Sequence, residues 1–122
     1  MENKMIYKIK RNCIVVSFYG EIDCVNAPYY RHQLNRIFEE NQGNVIFDFS
    51  NTSFIDSSGI GLVIGRYNQL NFEHRNLVLT GLNKVSYHLF ELTGLFKIMS
   101  YYQSIDDAFK EGAYETNNGS YV

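Results

Sequence analysis

The sequence predicts one α/β domain with a mixed central sheet of about five strands and about four helices, in the order β-β-α-β-α-β-α-β-α. Three observations lead there. Two β-rich runs near the N-terminus stand two residues apart, the spacing of a tight hairpin. Short apolar runs then alternate with segments whose apolar residues recur at helical spacing. The chain has 122 residues, 45% hydrophobic and 16% aromatic, which suffices for one core and is too short for two.

Residues 5–10 and 13–19 form the hairpin around Arg11-Asn12, with Ile14, Val16 and Phe18 on one face and Val15 and Ser17 on the other. Gly20-Glu21-Ile22-Asp23 leads to Asn26, the expected N-cap of a helix that accepts Pro28 in its first turn and runs to about Glu40. Tyr30, Leu34, Ile37 and Phe38 make its core stripe. Residues 44–49 read as a buried central strand, followed by a linker over 50–56. A helix over about 58–72 sets Ile60, Val63, Ile64, Tyr67 and Leu70 on one face, and Leu77–Thr80 is the next strand. A third helix over about 84–93 is expected to turn Val85, Leu89 and Leu92 inward, with Gly94 and Leu95 as its stop signal. Residues 98–101 read as a short strand. Ser104 with Asp107 resembles a capping box that opens a last helix through Ala108 and Phe109. The domain is expected to span 1–112, with a frayed polar tail over 113–122.

Composition removes several classes of function. A formal charge of −2, from 11 basic and 13 acidic residues, provides no footprint for nucleic acid or an anionic membrane. Cys13 and Cys24 have no histidine at a ligand spacing, so neither a metal site nor a disulfide is expected, and both are read as reduced thiols. Residues 1–10 lack the continuous apolar stretch of a signal peptide or membrane span, which points to the cytoplasm. Asn118-Gly119-Ser120 is then a chance sequon. His32, His74 and His88 are dispersed and read as solvent-exposed.

The most informative segment runs from Asp56 to Tyr67 and reads Asp-Ser-Ser-Gly-Ile-Gly-Leu-Val-Ile-Gly-Arg-Tyr at a strand-to-helix junction. Asp56 and Ser57 are both suitable N-caps, so Ser57 lies beside unpaired N–H groups and the positive end of a helix dipole, where its own domain tolerates a phosphate. Adjacent Asp56 opposes that charge. Gly59, Gly61 and Gly65 each cost the helix about 0.8–1 kcal/mol relative to alanine, and some contact must offset the sum. Close backbone packing at Gly61 and Gly65 is the simplest expectation, while Gly59 is expected to leave the loop uncovered for a partner.

Other readings of these glycines fail on spacing. G-x-G-x-x-x-G is not the dinucleotide fingerprint, and no Gly-Lys-Ser/Thr of a P-loop occurs. Neither Ser57 nor Ser58 sits in the G-x-S-x-G of a hydrolase elbow. No catalytic residue and no cofactor site is therefore assigned.

Phe54-Ile55-Asp56-Ser57-Ser58-Gly59-Ile60-Gly61, continued by Leu62-Val63-Ile64-Gly65-Arg66-Tyr67, strongly resembles the signature of STAS-domain anti-sigma factor antagonists. Gly20-Glu21-Ile22-Asp23 and Leu92-Thr93-Gly94-Leu95-Phe96-Lys97-Ile98 extend the likeness, which covers about residues 5–111. The resemblance implies a STAS-like fold and a non-enzymatic, cytoplasmic phosphoprotein that regulates transcription, of the kind that acts in sporulation. Its unphosphorylated form binds an anti-sigma factor that is itself a serine protein kinase and so frees the sigma factor. Phosphorylation of Ser57 switches binding off, and a serine phosphatase restores it. Glu21, Asp23, Asn26, Asp56, Ser58, Gly59 and Ile60 are the implied partner contacts, with exposed Tyr29 or Tyr30 beside them. The alternatives are a STAS module of a different partner-switching system and a nucleotide-binding STAS domain.

Overall fold

A computed structural model describes residues 2–111. The expected tail over 113–122, Gly112 and the Asn118 sequon lie outside the described residues. The elements are β1 (Lys4–Lys10), β2 (Cys13–Ile22), α1 (Ala27–Glu40), β3 (Asn44–Ile55), α2 (Ser57–Phe72), β4 (Leu77–Thr80), α3 (Lys84–Leu92), a 3-10 turn (Leu95–Lys97), β5 (Ser100–Tyr102) and α4 (Ile105–Lys110). They form one five-stranded sheet in the order β1-β2-β3-β4-β5, antiparallel between β1 and β2 and parallel elsewhere. The single antiparallel pair is the hairpin: Arg11 and Asn12 have φ of 53° and 65°, the two positive values of a type I′ turn. Each parallel pair needs a crossover, which α1, α2 and α3 supply.

Strand alternation divides the core between the two faces of the sheet. Ile14, Val16 and Phe18 join Phe47, Phe49, Leu77 and Leu79 against Tyr30, Leu34, Ile60, Val63, Leu70 and Phe90 from the three crossover helices. Cys13, Val15, Ile46 and Val78 point the other way, onto Ala108 and Phe109 of α4. Burial pushes the Cys13 thiol up to about 11, so it behaves as a small apolar side chain.

Three expectations need correction. The stretch 50–55 is not a linker, because β3 continues to Ile55 alongside Glu21 and Ile22. Its polar side chains bond to the neighbouring strand: Thr52 Oγ1 donates to the Phe18 carbonyl at 2.8 Å and Ser53 Oγ to that of Gly20 at 3.2 Å. Helix α3 keeps Leu89 against the core as expected but is rotated so that Ser86 and Phe90 are the buried residues, with Val85 and Leu92 exposed by 78% and 70%. Asn83 sets that rotation by capping Ser86 N–H at 2.8 Å and donating to the Ser53 carbonyl at 3.1 Å, and Phe90 then meets Phe49 edge to face. Gly94, at φ 80°, does end the helix region, but the 3-10 turn that follows uses up Leu95–Lys97 and delays β5 to Ser100–Tyr102.

Buried Arg75 fixes the start of the parallel sheet. Its guanidinium donates to the carbonyls of Gly43 at 2.8 Å, Asn41 at 2.8 Å and Phe38 at 3.1 Å, and to Glu73 Oε1 at 3.0 Å. One cation thus satisfies the carbonyls around the C-terminus of α1 and the turn into β3.

Candidate functional site

Strands β2 and β3 run parallel and end side by side, with Ile22 opposite Ile55, so both following helices start beyond the same end of the sheet. The Asp56 N–H donates to the Ile22 carbonyl at 3.1 Å and locks the two junctions together. At the first junction Asp23 Oδ1 accepts from Val25 N–H at 3.0 Å and Asn26 N–H at 3.1 Å. Asn26 Oδ1 accepts from Asp23 N–H at 3.0 Å, and its Nδ2 donates to the Glu21 carbonyl at 2.8 Å. Asn26 occupies the N-cap position as expected, yet its side chain makes no capping bond. The loop carboxylate and amide are spent on holding each other's backbone.

At the second junction Asp56 is the working cap: Oδ1 accepts from Ser58 N–H at 2.8 Å and Gly59 N–H at 3.3 Å. Helix α2 therefore begins at Ser57, one residue earlier than expected. Ser57 is exposed and its hydroxyl makes no hydrogen bond among the described residues. It sits at the first helical position, where the dipole is positive and N–H groups lie nearby.

The structure brings the sequence-derived residues to one end of the sheet and separates surface from support. Glu21 and Ser57 are exposed, and Asp23, Asn26, Asp56 and Ser58 are half-buried. Gly59 and Ile60 are buried. Tyr29 is exposed, whereas Tyr30 is a core residue. Burial raises the Tyr30 phenol above its ordinary value, and nearby Asp23 and Tyr29 add to the shift.

The glycines exchange their expected roles. A Cβ on Gly59 would collide with Ile55 Cγ2 and approach Ile22 Cγ2 to 3.1 Å, so Gly59 is the position of close packing and not an opening for a partner. Around Gly61 and Gly65 a Cβ would meet no atom of the described residues within 4 Å. These two do not press the helix against a neighbour; they form one wall of an open groove of about 460 Å³ between α1 and α2. Arg31 and Pro28 of α1, Cys24 of the first junction, and Ser58 and Arg66 of α2 also line it.

Arg66 is 9% exposed. Its Nε donates to Gln69 Oε1 at 2.9 Å, while its Nη1 is buried without an acceptor among the described residues. Burial depresses its pKa, and the positive charge of Arg31 does so further. The sequence places Arg66 inside a recognisable motif, but its pairing with Arg31 depends on how α1 and α2 pack and has no signature in either segment. Histidines 32, 74 and 88 are exposed, as expected. No helix among the described residues is long and apolar enough to cross a membrane.

Comparison with known proteins agrees with this architecture. A model of the STAS domain family matches residues 4–108. The anti-sigma F factor antagonist of Paenibacillus polymyxa is 29% identical over 102 residues, covering 83% of this chain and 87% of that protein. The anti-sigma-B factor antagonist of Listeria monocytogenes is 36% identical over 81 residues, covering 66% and 70%. Among solved structures, the Bacillus cell fate determinant SpoIIAA in its phosphorylated form is 25% identical with a TM-score of 0.69, covering 90% of this chain and 98% of that one.

Proposed function

The chain belongs to the STAS domain family, and from that premise we propose that it is an anti-sigma factor antagonist whose Ser57 hydroxyl is the switch. Unmodified, it docks through the joined junctions onto an anti-sigma factor that is also a serine kinase, and the sigma factor is released. The kinase transfers a phosphoryl group from its own ATP to Ser57, docking fails, and a serine phosphatase restores the hydroxyl. In this reading the chain works in the cytoplasm, catalyses nothing itself and is the substrate of both enzymes.

The observation that carries the proposal is the division of labour at the second junction. Asp56 caps α2, so Ser57 is left exposed with a hydroxyl that bonds to none of the described residues. Adding or removing a phosphate there changes the charge of the surface without breaking an internal bond. Burying an unpaired phosphate against a partner costs several kcal/mol, and about 4 kcal/mol is a thousandfold in affinity. Glu21, Asp23, Asn26, Asp56 and Ser58 are the contacts in this proposal, with Gly59 and Ile60 supporting them from beneath.

The test is intact-mass spectrometry of the chain after incubation with the anti-sigma factor kinase and ATP, followed by fragment mapping. A single added phosphate on Ser57, absent from Ser57→Ala, is the expected result. Phosphate on another residue, or none, removes the proposal.

A further inference from the structure

Resting on the reading just given, we propose that the groove between α1 and α2 receives a carboxylate side chain of the docked anti-sigma factor, held by the guanidinium groups of Arg31 and Arg66. Three independent features point to that ligand. Arg31 and Arg66 line the same groove, and no carboxylate stands among the described residues that line it. Two cations placed together without a counter-charge repel each other, and an incoming carboxylate relieves that repulsion.

The second feature is the incomplete bonding of Arg66. A guanidinium presents five N–H donors; among the described residues only Nε has an acceptor, Gln69 Oε1, so a carboxylate that reaches the groove-lining part of Arg66 adds charge-assisted bonds without displacing an internal ion pair. The third is the wall. Gly61 and Gly65 occupy the side of α2 that faces open space, where alanine would raise helix propensity without a clash. A helix that keeps glycine on an unobstructed side allows another chain to approach its backbone closely.

The groove also connects with the switch. Ser58 lines it, and Ser57 is the adjacent residue. A phosphate on Ser57 therefore adds negative potential near the site a partner carboxylate must reach, so one modification opposes docking both at the junction and along the groove.

The experiment measures affinity for the anti-sigma factor kinase by titration calorimetry, using the full chain as wild type, Arg31→Glu and Gly65→Leu. Arg31 is exposed and Gly65 faces open space, so both variants are expected to fold, which circular dichroism checks. Arg31→Glu presents its own carboxylate to Arg66, and Gly65→Leu fills the groove; each is expected to weaken binding at least about tenfold. If wild type binds and both variants bind equally well, the groove proposal is overturned while the proposed function stands.

If wild type binds no anti-sigma factor kinase, the proposed function fails, and sodium succinate then decides the groove separately. Saturable shifts of the Gly61 and Gly65 amides and the Arg66 Nε–H in nuclear magnetic resonance, lost in Arg31→Glu, uphold a carboxylate site. No shift overturns it. Tighter binding of inorganic phosphate or ATP than of succinate at the same resonances also overturns it, by assigning the groove to phosphate.

Discussion

Arg75 and Arg66 are both buried guanidinium groups, and the fold treats them in opposite ways. Arg75 is surrounded by acceptors, three main-chain carbonyls and the carboxylate of Glu73, and lies over the Phe38 ring. Arg66 has one amide oxygen, a like-charged neighbour and a donor with no acceptor among the described residues. A buried charge with every donor matched is part of the scaffold, because losing it leaves carbonyls unsatisfied around a helix end. A buried charge left half-matched contributes little to the scaffold and is available to a ligand. The glycines of α2 repeat the contrast, with Gly59 packed on Ile55 and Gly61 and Gly65 facing open space.

Removing each feature turns this contrast into stability measurements. The largest effect is expected for Arg75→Ala, about 3 kcal/mol of lost stability in urea denaturation, because several charge-assisted bonds disappear together. Gly59→Ala comes next, at about 2 kcal/mol, from the collision of its methyl with Ile55; a thermal midpoint equal to wild type would place Gly59 with the open pair. Gly65→Ala is expected to stabilise the isolated chain by up to about 0.8 kcal/mol through helix propensity alone, read as a higher urea midpoint. Smallest is Arg66→Met, expected within about 0.5 kcal/mol of wild type, since an apolar side chain of similar length replaces a poorly compensated buried charge. A loss as large as that of Arg75→Ala would show that Arg66 holds the fold after all.

Where burial follows a strict period, the sequence is enough to read the fold. Ile14, Val16 and Phe18 against Val15, and Tyr30, Leu34, Ile37 and Phe38 along α1, all take their expected faces. Polar residues with distant partners mislead. Thr52 and Ser53 look like linker residues until their hydroxyls meet carbonyls of β2, and the rotation of α3 depends on an Asn83 bond to Ser53, thirty residues away. At the site, Asp56, Ser57 and the Asp23 loop are legible from local chemistry, because capping and turn preferences act over a few residues. The roles of the three glycines are not, since the penalty of glycine is local while the atom that a Cβ would strike belongs to another element. The Arg31–Arg66 pairing is hidden for the same reason.

The most direct test of the switch compares the chain carrying phosphate on Ser57 with the unmodified chain and Ser57→Ala, each titrated calorimetrically into the anti-sigma factor kinase. The account predicts equal affinities for the unmodified chain and Ser57→Ala, and binding about a thousandfold weaker for the phosphorylated chain. Equal affinity with and without the phosphate would contradict it.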